Sequence, residues 1–228
     1  MQTILRNREA LGIPDQTIAL TFDDGPVPHG QTHALLDLLK SEGIRAGFCL
    51  VGRRVPTDPD LIRRMDEEGH LLVNHGDRHS PAGRMTDVDF QRDLVAFDER
   101  GSAVLSRDWL STHYRPPGGR WTPRLRRLLT ASGRTLMPMT YFAWDIFPFP
   151  YRQHLILAGM LAHLRRNQGG LFMLHEAIVP LSGEQSPAPP RNDRHWIIDL
   201  AKEFITTAKR EGYHFDHPSD VIGSSETS

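Results

Sequence analysis

One cysteine, Cys49, stands among 228 residues, so no internal disulfide staples this chain. A small buried hydrophobe is the expected role for it. No window approaches about 18 uninterrupted apolar residues, which excludes a membrane-spanning helix. The opening MQTILRNREALGIPDQT has no apolar run of roughly 7–15 residues and is broken by Arg6, Arg8 and Glu9. It does not read as a signal peptide, and a cytoplasmic protein is expected. Neither charge sign is in excess: 27 Lys and Arg face 28 Asp and Glu, for a net charge of -1. A nucleic-acid or anionic-membrane partner would need a basic surplus, so neither is expected. Aromatic residues are sparse at 8%, whereas histidine is plentiful at 12. Histidine is the commonest metal ligand and a frequent acid–base group, so its placement becomes the question.

Strand-like and helix-like segments alternate along almost the whole length. Strands are expected at 17–22, 45–52, 70–75, near 113–119, at 135–145 and at 170–176. Helices are expected at 32–43, 58–69, 86–105, 122–133, 152–170 and 193–212, with Gly101 a candidate early stop for the third. Capping supports several of these: Asp58 or Asp60 and Thr122-Pro123 at helix starts, Gly43 and Gly69 at ends. Residues 179–193 have loop composition. Successive β-then-α units with short connections predict a parallel sheet wrapped by helices, in one domain spanning 1–228. In such sheets, sites form beyond the C-terminal ends of strands. Four expected strands end there in chemistry-bearing groups: Asp23 with Asp24, then His75, Arg115 and His175.

Singly, each group is ambiguous. Asp23-Asp24-Gly25, taken alone, reads more readily as a solvated turn. His75 and His79, with three residues between them, would lie on one side of a helical turn and could chelate one ion. In a chain with 12 histidines such a pair also arises by chance. A strand-end histidine such as His175 is more often simply hydrogen-bonded, and Arg115 before two prolines could be an exposed turn cation.

Their joint occurrence in this order resembles the polysaccharide deacetylases of carbohydrate esterase family 4, which include chitooligosaccharide, chitin and peptidoglycan N-deacetylases. Thr21-Phe22-Asp23-Asp24-Gly25-Pro26 matches the first motif, His75-Gly-Asp-Arg-His79 the second and Arg115-Pro-Pro-Gly-Gly119 the third. Leu174-His175 matches the fifth, with Glu176 where Asp is usual. The resemblance runs from about residue 17 to 215. It implies a distorted (β/α) barrel of about seven parallel strands. It also implies a metal triad of Asp24, His75 and His79, with Asp23 as general base, His175 as general acid and Arg115 orienting the base. Such a donor set suits Zn²⁺, with Co²⁺ or Ni²⁺ as alternatives. The backbone N–H of Gly118 would help hold an oxyanion.

The fourth motif, Trp-x-x-Asp-x-x-Asp-Trp, departs from the family. Laid on 144–151, its Asp positions become Phe147 and Pro150, and Tyr151 replaces the Trp. The usual partner of the catalytic His is thereby lost, leaving Glu176 and Asp145 as candidates. Trp144, Phe147, Phe149, Tyr151 and Leu174 are the expected substrate-binding residues. Gly118 also replaces a usual aromatic, which is expected to open room beside the metal. His29 and His33 are candidate rim residues, while Trp121 and Trp196 read as packing.

The expected activity is metal-dependent hydrolysis of the amide of an N-acetylated or N-formylated amino sugar or related small amine. Two readings compete with it. One is deacylation of a lipid-linked amino sugar or natural-product intermediate. The other is a binding-only relative, against which the intact motif residues argue.

Overall fold

A computed structural model of the chain describes residues 2–28, 30–146, 152–179, 181 and 194–222. In chain order the elements are β1 (Gln2–Thr3), β2 (Thr17–Gly25), α1 (Gln31–Glu42), β3 (Gly47–Leu50), α2 (Pro59–Glu67), β4 (Leu71–Asn74), α3 (Asp87–Leu105) and β5 (His113–Tyr114). Then follow β6 (Arg120–Trp121), α4 (Pro123–Ala131), β7 (Thr135–Leu136), β8 (Tyr141–Phe142), α5 (Gln153–Asn167), β9 (Gly169–His175), α6 (Trp196–Arg210), β10 (His214–Phe215) and α7 (Pro218–Val221).

The sheet runs β7-β5-β4-β3-β2-β9-β8, with β10 beside the start of β2, and all of these pairings are parallel. Curled and wrapped by helices, it is the expected distorted (β/α) barrel. Alternation along β2 sorts its side chains. Ile18, Leu20 and Phe22 pack with Leu35, Leu36 and Leu39 of α1 and with α6. Ala19 belongs instead to a second cluster with Cys49, Val73 and Leu171. Cys49 is fully buried, as expected, and burial raises its thiol pKa well above the usual range.

Helix boundaries follow the local chemistry. Asp58 caps α2 by accepting from the Leu61 N–H, and Thr122 caps α4 by accepting from Leu125. Gly101 does not stop α3; Trp109 packs so closely that an added Cβ would lie 2.3 Å from its ring. The expected strand at 135–145 divides into β7 and β8, with Pro138, which has no N–H, between them. Among the described residues no helix is long and apolar enough to cross a membrane.

No ladder joins β7 to β8, so the sheet has a seam. The N-terminal arm lies across it. β1 pairs antiparallel with β6, the Ile4 N–H donates to Gly119 O (3.1 Å), and the Arg6 N–H donates to Met139 O (2.8 Å). Sequence reading assigned this arm no structure.

Candidate active site

The site begins with a break in alternation. In the β2–β3 ladder Asp23 pairs with Cys49 and Gly25 with Leu50, leaving Asp24 as a bulge at φ 72°. A bulge re-aims a side chain that the pleat would turn away, so the adjacent carboxylates Asp23 and Asp24 both line one cavity. Gly25 is required by close approach: a Cβ there would meet Glu176 Oε1 at 1.6 Å.

Asp24, His75 and His79 each offer one ligand atom, and these atoms lie within 4.8 Å of one another. Asp24 Oδ1 is 3.3 Å from His75 Nε2 and 3.0 Å from His79 Nε2. The histidines do not converge on a helical turn, as their spacing suggested. They sit on an irregular loop after β4, in which Gly76 (φ 77°) and His79 (φ 54°) adopt left-handed backbone. The His75 Nδ1–H donates to Arg115 O (2.7 Å), which turns the Nε2 lone pair toward the cavity. Asp24 Oδ2 accepts from the Val179 N–H at 2.7 Å. Burial raises the Asp24 pKa, but hydrogen bonds from His75 and His79 and the positive potential of His79 and His175 outweigh it. The carboxyl ends well below its usual range. A buried, ionised carboxylate with two inward imidazole nitrogens is a donor set fitted to a divalent cation.

Asp23 flanks this cluster. Arg115, at the end of β5, donates to Asp23 Oδ1 (2.6 Å) and also to Thr21 Oγ1 and Pro138 O. Asp23 Oδ2 lies 3.9 Å from His75 Nε2. The register partner of Asp23 on β9 is His175, so candidate base and candidate acid occupy neighbouring strands at one level. His175 Nδ1 lies 2.9 Å from Asp145 Oδ1, and its backbone N–H donates to Asp145 Oδ2. Asp145 therefore takes the place of the missing fourth-motif carboxylate. Arg194 completes this side by donating to Asp145 Oδ2 (2.7 Å) and His175 O (3.2 Å), with its guanidinium 4.7 Å from the Trp196 ring centroid. Burial pushes His175 down, yet Asp145, with Asp24 and Asp23, outweighs it and raises the imidazole to about 9. The side chain is a proton donor at neutral pH.

Glu176, the other candidate partner, points elsewhere. It accepts from the Thr32 hydroxyl, and burial foremost raises its carboxyl to about 8, so it is neutral at pH 7.

The cavity of about 770 Å³ holds Asp23, Asp24, His75, His79, Arg115 and His175 together. Gly118 and Trp144 also line it. Leu174 does not fill the substrate-binding place expected of it. It is fully buried in the helix-facing core, because alternation along β9 turns Met173 and His175 to the cavity and Leu174 away. Phe147, Phe149, Tyr151 and His29 lie outside the described residues. His33 pairs with Asp58 (3.1 Å) and is not among the residues lining the cavity. Gly118 borders the cavity, and a Cβ there would meet only Leu181, in ordinary contact at 3.4 Å. Sequence reading did not find Arg194, which is separated from Asp145 by 49 positions and carries no motif. It also missed Ile4, Leu5 and Met139, three further lining residues.

A curled parallel sheet carrying an Asp-His-His cluster between a carboxylate and a histidine is an arrangement suited to metal-assisted hydrolysis. Residues 12–137 match the polysaccharide deacetylase family model, and the chain belongs to that family. It is 29% identical over 206 residues to a chitooligosaccharide deacetylase from Bradyrhizobium, covering 89% of each chain. A peptidoglycan-N-acetylmuramic acid deacetylase from Bacillus subtilis is 33% identical over 93% of this chain and 73% of its own length. The fold is shared with the chitin deacetylase of Colletotrichum lindemuthianum, at TM-score 0.78 and 22% identity over 92% of this chain and 88% of that one.

Proposed function

We propose that the protein hydrolyses the acetamide of an N-acetylated amino sugar, using one divalent cation, Zn²⁺, held by Asp24, His75 and His79. The observation that carries this reading is the convergence of three ligand atoms within 4.8 Å beside Asp23 and His175. The deacetylase names of the relatives from Bradyrhizobium and Bacillus subtilis support the substrate class.

When bound, the cation supplies Lewis acidity, polarising the amide carbonyl and lowering the pKa of a coordinated water. Asp23, held by Arg115, accepts the proton of the attacking water as its oxygen bonds to the carbonyl carbon. The Gly118 backbone N–H, at the cavity wall, donates to the developing oxyanion. His175 gives its proton to the amine nitrogen as the C–N bond breaks. Acetate and free amine leave. Asp145 holds the imidazole by its Nδ1–H, which directs the other ring nitrogen's proton to the leaving group.

Metal analysis together with acetate and amine release from N-acetylglucosamine oligomers tests the proposal. One divalent ion per chain is expected, with both products in equal amounts and loss of ion and activity in His79→Ala. Full hydrolysis after chelation and in His79→Ala overturns it. An N-formylated series run in parallel identifies the acyl group.

A further inference from the structure

Seven large apolar side chains are left exposed among the described residues, and three of them, Leu5, Trp144 and Leu181, line the active-site cavity. Beyond the six catalytic and metal-binding groups, the only polar side-chain groups in the described lining belong to Thr3, Arg120 and the Trp144 indole. A long hydrated glycan would leave such walls without partners for its hydroxyls, whereas contiguous exposed apolar surface marks ligand contact.

One wall comes from the N-terminal arm. Residues 3–5 all line the cavity, and the arm is held there by backbone. Trp121 Nε1–H donates to Thr3 O (3.0 Å), the Met139 N–H donates to Ile4 O (3.3 Å), and Leu5 bridges to Met139. Ile4 is fully buried beneath Gly119 and Met139 and anchors the segment, which leaves Leu5 45% exposed at the cavity. A side chain displayed in this way on a tied backbone contributes little to the core.

We propose that the N-terminal arm is a specificity-determining wall of the active site. Leu5, which shares the cavity lining with Trp144 and Leu181, receives an apolar substituent on a short acylated amine, in preference to a continuing sugar chain. This rests on the amide-hydrolase reading and adds to it the chemical class of the non-reacting part of the substrate. The substituent can reside on the acyl side or the amine side, and the test separates the two.

Equilibrium binding is read by intrinsic tryptophan fluorescence on zinc-loaded protein carrying Asp23→Asn to suppress turnover. Three probes are used: the methyl glycoside of N-acetylglucosamine, its octyl glycoside, and the methyl glycoside of N-octanoylglucosamine. At least one octyl-bearing probe is expected to bind about tenfold or more tightly than the methyl probe, since several methylenes leave water. Whichever octyl probe gains identifies the side. Adding Leu5→Asp is expected to reduce that advantage below about threefold, because a carboxylate would then meet the alkyl chain. Val88→Asp, at a somewhat more exposed apolar position on α3 away from the cavity, is expected to leave it unchanged. Equal binding of all three probes overturns the proposal, as does an advantage that survives Leu5→Asp. Failure of the hydrolase reading itself shows separately, as no free amine released from any of the three probes by the unsubstituted, zinc-loaded protein.

Discussion

On the base side of the site, Arg115 reaches Asp23 from the end of β5, three strands along the sheet, and among the described residues no second cationic side chain lies at hydrogen-bond distance from Asp23. On the acid side, Asp145 is divided: one oxygen meets the His175 ring, while the other accepts from the His175 backbone and from Arg194. Both arginines are buried, and burial is the largest influence on each. Arg115 nevertheless ends above its usual pKa, carried by Asp23, whereas Arg194 ends below its own despite Asp145. A dedicated carboxylate offsets the desolvation of one guanidinium, and a shared one offsets less. The sharing leaves Asp145 free to hold the imidazole.

The largest expected effects come from the two groups proposed to move protons. Asp23→Asn and His175→Ala should each lower kcat by about 10²–10⁴-fold, measured by acetate release. A residue whose loss costs less than about tenfold is removed from its role.

Next come the supporting arginines. Arg115→Gln leaves Asp23 buried without its cation and should cost about 3–5 kcal/mol in urea denaturation. Arg194→Gln should cost less, since Asp145 keeps His175. Equal losses would break the distinction between dedicated and shared carboxylates.

His70, at the opposite end of the barrel, shows what burial does when a nearby carboxylate, Glu68, offsets it only in part. Its Nδ1 accepts from the Ala46 N–H, and its Nε2 is 3.7 Å from Glu68. Burial prevails and pushes it down to about 4. The unfolded chain takes up this proton near pH 6.5, so the contribution to stability is complete above that pH and is lost as pH falls toward 4. His70→Asn, which keeps an acceptor for Ala46, should flatten the denaturation free energy by about 2–3 kcal/mol across this window. An unchanged acid slope would mean that His70 is not the group responsible.

The smallest effect sharpens the acid side. As the proposed acid, His175 has to be protonated, so its contribution sets the alkaline limb alone, and activity should fall as pH rises through a value near 9. Asp145→Asn removes the stabilising charge and should move the alkaline limb of kcat/KM down by about one pH unit. Arg194→Gln removes a competing cation and should move it up by less. Shifts in the same direction would mean that Arg194 does not act through Asp145.

Much of the base side was legible in the chain because its parts are local motifs. Asp23 and Asp24 adjoin, His75 and His79 are four apart, and Arg115 announces itself before two prolines. Register then aligns them, since parallel pairing carries each strand end to the same edge of the sheet. The acid side was legible only in His175. Asp145 was one of two candidates, and only the position of its side chain separates it from Glu176, which the turn after β9 directs toward Thr32. Arg194 was invisible, because nothing local marks an arginine that returns to a carboxylate 49 residues earlier. Leu174 was misplaced for a related reason: adjacency to a site residue in a strand places a side chain on the opposite face.

Residue order was thus enough for the alternation of strands and helices and for a parallel sheet, through hydrophobic periodicity and capping. The barrel and the six groups at its C-terminal edge were legible through the resemblance of short motifs to a known family, each motif written within a few residues. Three things required the folded chain. The bulge at Asp24 turned neighbouring carboxylates to one side, the carboxylate that holds His175 was selected, and an N-terminal arm without any motif was laid over the seam as a wall of the cavity. Each depends on contacts between segments far apart in sequence, where backbone hydrogen bonds and burial decide which face a side chain presents.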